Sequence, residues 1–286
     1  MVRAKYSFLV FVIIFFLLEL GADCTSVRAA AAEDLLASIR ESCQVCWDDT
    51  KAILAAPGQW GREDWFKAAL ALGVTLVLAE SDSTIREHFQ THQSESGDTL
   101  SGIFAKVGNV GYLAPALGLW YLYGKTAGNL QIQEAALVSL ESLIISGGIT
   151  GVLKLSFHRS RPDTGNGSHS FDGPGFSWDD GRLSFPSMHS AAAFSVATVL
   201  ADYYREQRWV PFFAYTAATM VALSRIYDDR HWSSDVGFGA AVGYYTAKKL
   251  LTLRAAGRTG AERLAGAAIV PVLTPLGAGL AVEYRF

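Results

Sequence analysis

Between Ser224 and Asp235 the chain reads SRIYDDRHWSSD, and three of its residues are spaced to do chemistry together. His231 and Asp235 are four apart, so a helix beginning near Trp232 places both on one face at its N-terminus. Asp235 then holds one imidazole nitrogen and leaves the other unprotonated and pointing outward, as a nucleophilic or basic histidine requires. Arg225 adds a permanent two-pronged cation for an oxyanion. The helix start adds free N–H groups and positive dipole. Read alone, the stretch fits equally well a structural His–Asp pair at a helix cap beside a solvated arginine.

Two upstream stretches extend the set. KLSFHRSRP, 154–162, supplies Lys154 and Arg161, one cation long and flexible, the other a planar fork. FPSMHS, 185–190, supplies Ser187 and His189 where Pro186 and Ser187 favour the start of a helix. Three cations, two histidines, a serine and a carboxylate are the inventory for phosphoryl transfer without a metal: clamp the oxygens, attack phosphorus, protonate the leaving oxygen.

In the order K-x6-RP, PS-x-H and SR-x5-H-x3-D, these blocks resemble the signature of the type 2 phosphatidic acid phosphatase (PAP2) superfamily, which includes class A acid phosphatases and vanadium haloperoxidases. The resemblance implies that His231 is the nucleophile that becomes phosphohistidine, with Asp235 orienting it and His189 as general acid. It implies phosphate binding by Lys154, Arg161, Ser187, Met188 and Arg225. One position departs: Met188 stands where the family usually has glycine. Its N–H still reaches a phosphate oxygen, but glycine's access to positive φ is lost and a side chain must be housed.

Apolar runs of helical length at 65–78, 110–123, 134–155, 188–204, 210–224 and 236–251 position these blocks, and strand-like alternation is scarce. The expected fold is all-α, a six-helix bundle with the site at one end, the architecture the resemblance also implies. The Gly-, Ser- and Asp-rich stretch 163–184 reads as a loop, either an entry wall whose Phe171, Phe176 and Trp178 touch an acyl chain or a plain solvated connection. His158 and His169, outside the motif, read as surface or pocket-edge residues. Leu280, Val282, Tyr284 and Phe286 alternate like a strand, and a small hairpin is expected in the tail.

Domain boundaries are expected at 1–32 (signal peptide or uncleaved anchor), 33–60 (polar segment), 61–255 (phosphatase domain) and 256–286 (tail). The first of these has Arg3 and Lys5, then an apolar run from Tyr6 to Leu18, then small residues through Ala32. Gly21, Ala22 and Asp23 before Cys24 do not make a lipobox. Cys43 and Cys46 read as a local disulfide or as thiols. A formal net charge of -3 over 286 residues, half of them hydrophobic, gives no basic excess for nucleic acid. The uncharged runs are mostly shorter than a membrane span, and Glu141 interrupts the third, which favours a soluble or interfacial bundle. Were all six helices to span, Arg205, Arg208, Lys248, Lys249 and Arg254 would fall opposite the catalytic blocks, and a secreted or interfacial bundle following a signal segment is likewise outside. Either way the site is expected to face away from the cytoplasm, in an exported, envelope-associated protein. The expected partners are a phosphate-ester substrate, taken as a lipid, and a membrane or its surface. No cofactor is expected, vanadate entering only under a haloperoxidase reading. A broad-specificity periplasmic acid phosphatase is the nearer alternative.

Overall fold

A computed structural model of the chain describes residues 44–265, 267–274 and 277–284, with side chains up to 256. The 1–32 segment, Cys24, Cys43 and Phe286 lie outside the described residues. The chain divides into two compact units, Met1–Asp48 and Asp49–Phe286. Of the first only 44–48 are described, and the second carries everything below.

Eight α-helices occur among the described residues: α1 (44–55), α2 (Arg62–Thr91), α3 (Glu95–Val107), α4 (Val110–Thr126), α5 (Leu130–Phe157), α6 (Met188–Tyr203), α7 (Trp209–Tyr227) and α8 (Ser233–Ala265). An antiparallel hairpin follows, β1 (Ala267–Thr274) paired with β2 (Gly277–Tyr284). The all-α class holds, with two helices more than the six expected. Helix α3 escaped the apolar-run reading because Ser, Gly and Asp dilute it. Its Leu100, Ile103, Phe104 and Val107 nevertheless follow helical spacing, and Ser94 caps it by accepting from Gly97 N at 3.1 Å.

Helix α6 is the centre. It packs against α5, α7 and α8, and Ala191, Ala192, Ala193, Val196, Ala197 and Val199 are all buried. Small side chains let neighbours come close. A Cβ on Gly239 of α8 would stand 2.4 Å from Ser187 O, and one on Gly243 would stand 2.2 Å from Ala191 O. These two glycines, four apart, therefore set how closely α8 approaches the first turns of α6.

Helix α2 is inverted. Its buried residues are Thr75 and Asp82, while Leu70, Leu72, Val74, Leu76 and Val77 are 51–68% exposed. Helices α2 and α5 are each long and apolar enough to cross a membrane, contrary to the reading from run lengths, because both extend well beyond the runs. Glu141 does not break α5. It is buried, and Arg254 of α8, which also reaches Asp49 at 3.1 Å, donates to it.

Candidate active site

One end of α5, the connection after it, the start of α6, the end of α7 and the start of α8 bring the motif residues together. Lys154 lies in the last turn of α5, buried, with Nζ donating to Leu183 O and, at 3.3 Å, to Ser184 O. His158 then takes a left-handed conformation (φ 40) and reverses the chain. It is not a surface residue: it is buried, its ring nitrogens each 3.0 Å from a carbonyl oxygen, of Gly173 and of Ser177, so it pins the connection from inside. His169 is exposed, as expected. The aromatic residues of 163–184 are all exposed, Phe176 and Trp178 most of all, and the Phe171 ring also lies 5.0 Å from the guanidinium carbon of Arg159.

Ser187 caps α6, its Oγ accepting from Ser190 N at 3.4 Å and from Ser190 Oγ at 3.1 Å, and its own N–H donates to Asp235 O at 2.9 Å. That bond ties the start of α6 to the start of α8. Met188 and His189 follow, both half-buried in the first turn. Among the described residues only His158 and Asp229 are non-glycine positions with positive φ. Position 188 is thus ordinary helix, and methionine there loses no conformational freedom that glycine would have needed.

Arg161 donates from Nε to Asp180 O at 2.6 Å, from Nη2 to Asp180 Oδ1 at 2.7 Å and from Nη1 to Arg230 O at 3.3 Å. Arg230, preceding His231, donates to the other Asp180 oxygen at 2.6 Å and to Asp163 at 3.0 Å. Asp180 therefore bridges two cations with the charge that a phosphate would bring. Arg225, in the last turn of α7, donates to Asp228 and, at 3.2 Å, to Ser224 Oγ.

His231 is 4% exposed and lies between α7 and α8. Its Nδ1 faces Asp235 Oδ2 at 3.6 Å, beyond hydrogen-bond reach, and makes no hydrogen bond. Asp235 is occupied from elsewhere: Arg159 Nη1 donates to Oδ1 at 2.6 Å, while Ser184 Oγ and Trp232 N donate to Oδ2 at 2.5 and 2.9 Å. Arg159 continues through Nη2 to Asp82 of α2 at 2.7 Å. None of Arg159, Asp82 and Ser184 stands out in the motif spacing. Nothing in the sequence singled them out, Asp82 lying among Glu80, Arg86 and Glu87 past the end of the apolar run.

Burial pushes His231 down to about 3, Lys154 and Arg161 adding to the effect and Asp235 opposing it. Burial pushes His189 down to about 4, helped by Arg225, Arg161, Lys154 and Arg230. Both imidazoles are neutral at pH 7. A neutral imidazole presents one unprotonated nitrogen, the form a nucleophile or base requires, and an anion among the surrounding cations would raise the proton affinity of either ring.

Residues 135–257 match the family model of the PAP2 superfamily. Over 146 residues the chain is 32% identical to a lipid A 1-phosphatase of Porphyromonas gingivalis, covering 48% of this chain and 28% of that protein. The chain thus spans under a third of the length of this relative. A transmembrane PAP2 type phosphatidylglycerolphosphate phosphatase from Bacillus subtilis aligns at TM-score 0.47 and 17% identity, over 67% of this chain and 97% of that one. Aquifex aeolicus LpxE aligns at TM-score 0.45 and 22% identity, over 60% and 94%.

Proposed function

We propose, from the match of residues 135–257 to the PAP2 superfamily, that the chain is a member of that superfamily and a metal-independent phosphatase acting on lipid phosphate monoesters or pyrophosphates of the cell envelope. The observation that carries the reading is a buried histidine backed by a carboxylate, with Lys154 and Arg161 acting on it and, together with Arg225, on a second histidine, His189.

In the proposed reaction the three cations, Ser187 Oγ–H and the Met188 N–H hold the phosphate oxygens. The Nε2 lone pair of His231 attacks phosphorus, the P–O bond to the leaving group breaks, and His189 gives that oxygen its proton. Asp235 stabilises the positive charge growing on the ring, closing its 3.6 Å gap to Nδ1–H as that charge develops. Water, deprotonated by His189, then attacks phosphorus and breaks the P–N bond. The cations do the work a metal ion would otherwise do, so the cycle uses no cofactor.

A lipid substrate is supported by helix α2, on which Leu70, Leu72, Val74, Leu76 and Val77 are exposed while the two buried residues, Thr75 and Asp82, are polar. The named activity of the Porphyromonas gingivalis relative points the same way. We further propose a membrane-associated, exported protein with its site away from the cytoplasm. Helix α8 starts at the site and carries Lys248 and Lys249 about 20 Å further along. Arg205 and Arg208 likewise follow the far end of α6. A broad-specificity acid phosphatase is the rival, and a vanadium haloperoxidase a more distant one, using the same cradle for vanadate.

Acid quenching during turnover of a labelled lipid phosphate tests the mechanism. Label should remain on the wild-type protein and on His189→Ala but not on His231→Ala, and label on the last would refute it. Losses in His189→Ala should be on the order of a hundredfold for an alkyl phosphate and far smaller for para-nitrophenyl phosphate. Clearly better wild-type turnover of the soluble ester would favour the rival, and halide oxidation with vanadate and peroxide in the absence of phosphatase activity the haloperoxidase.

A further inference from the structure

We propose that Asp82 and Arg159 are positioning residues for the nucleophile: Asp82, carried on α2, locks Arg159 to the first turn of α8, and the pair fixes Asp235 behind His231. The proposal rests on the phosphatase reading above.

All three charged groups are buried, at 1%, 2% and 0% exposure for Asp82, Arg159 and Asp235. A carboxylate so placed is tolerated only when its oxygens are filled. Asp82 Oδ1 accepts from Ser233 Oγ at 2.6 Å and from Ser234 N at 2.9 Å. Its Oδ2 accepts from Ser234 Oγ at 2.6 Å and from Arg159 Nη2 at 2.7 Å. The Ser234 N–H is one of the donors that a helix start leaves unpaired within the helix. Asp82 therefore caps α8 from a different helix, one residue before Asp235.

Arg159 is held just as completely. Nε and Nη2 donate to Ser168 O at 2.9 and 2.5 Å, and Nη1 donates to Ser234 Oγ at 2.7 Å and to Asp235 Oδ1 at 2.6 Å. The rings of Phe171 and Trp232 lie 5.0 and 5.6 Å from its guanidinium carbon. A planar fork so fixed defines the direction of Asp235 in a way a flexible ammonium cannot. Two carboxylates and one guanidinium leave one negative charge behind His231, which favours the cationic ring formed on attack. Facing the ring from the other elements are Lys154 of α5 and Arg161 of the connection, and the same two cations, with Arg225 of α7, act on His189 of α6.

The network acts on the reaction through His231, so its loss should lower kcat and leave KM nearly unchanged, since Lys154, Arg161, Ser187 and Arg225 stay in place. The test uses the full-length chain in detergent, with Asp82→Asn, Arg159→Lys and the milder Ser234→Ala. Ser234→Ala removes one hydroxyl shared by Asp82 and Arg159 and keeps the test open if the charge variants do not fold. Ring nitrogen resonances of labelled histidine should show a single His231 tautomer in wild type, with Nδ1 protonated, and a mixture in each variant. Per folded molecule, kcat should fall ten- to a hundredfold in Asp82→Asn and Arg159→Lys and a few-fold in Ser234→Ala, with KM within about twofold. An unchanged tautomer, or an unchanged kcat per folded molecule alongside a lowered melting temperature, overturns the positioning role. The tautomer is read without turnover. If wild type neither hydrolyses phosphate esters nor traps phosphate, the phosphatase reading fails, and the positioning role is still judged by the spectrum.

Discussion

Gly239→Ala tests whether the spacing of α6 and α8 sets the reaction. The added Cβ would stand 2.4 Å from Ser187 O and 3.2 Å from Ser187 C and N, all backbone atoms with no side chain to swing aside. Restoring an ordinary contact needs an opening of about 0.6 to 1 Å between the helices, in a core too dense to absorb it elsewhere. The atom displaced belongs to the proposed phosphate ligand, two residues before His189, whereas His231 and Asp235 travel with α8. The opening therefore separates the helix that carries the proposed acid from the one that follows the proposed nucleophile, and strains the Ser187 N to Asp235 O bond of 2.9 Å. A misplacement near 1 Å costs on the order of a hundredfold in rate, and the overpacking about 1–3 kcal/mol in stability. Gly237→Ala is the control. Its Cβ would meet Leu78 Cδ1 at 2.6 Å, the far end of a flexible side chain, so a rotation relieves it. Turnover of a lipid phosphate and of para-nitrophenyl phosphate, with thermal melts of each variant, reads the outcome. Wild-type kcat in folded Gly239→Ala, or equal losses in the two variants, would refute the reasoning.

Asp180→Asn should tighten inorganic phosphate binding, measured by product inhibition, by a factor of up to about 5. The Asp180 side chain is 66% exposed and so screened, and such pairs are worth at most about 1 kcal/mol; weaker binding would show that Asp180 shapes the site instead of competing for it. Met188→Gly should preserve or raise activity on bulky substrates, because position 188 is ordinary helix and its N–H is kept; complete loss would reveal a positive role for the side chain. Stability should fall with acid. His231 and His189 lie at about 3 and about 4 against an ordinary 6.5, so below about 6.5 the unfolded chain takes up protons that the folded chain does not. Each pH unit from there toward 4 then costs up to about 1.4 kcal/mol per histidine. A melting temperature flat from pH 7 to 4 would contradict this, and a His189→Gln/His231→Gln protein should show the flatter profile.

The motif blocks were legible because each rests on short-range geometry: Lys154 at a helix end, Ser187 as a cap, His231 four residues before Asp235. The orientation of Asp235 was not legible, because the groups that set it are far apart in sequence. Arg159 lies 77 residues from Asp82 and 76 from Asp235, and no spacing rule relates residues whose meeting depends on how α2 packs on α8. His158 was missed for a similar reason. A histidine just past a helix end reads as surface until its left-handed backbone and two carbonyl contacts show that it turns the chain inward.

Helix α2 shows a further limit, and under the proposed membrane association it follows from the solvent assumed. Apolar runs locate core helices when the outside is water, and that rule ended this helix near Leu78, where Glu80, Asp82, Arg86 and Glu87 begin. The helix continues to Thr91, because Asp82 points inward to Arg159 and Arg86 donates to Asp229 at 2.6 Å through both Nε and Nη2. Where the outward face meets hydrocarbon, apolar residues carry no information about which side is buried, since lipid accepts them as readily as a core does. The informative residue is then the polar one. A carboxylate inside a lipid-facing helix must turn toward the protein and find cations and donors there. Of the polar residues in this span, Asp82 alone is both charged and fully buried, and following its partners leads in two steps to the carboxylate behind His231.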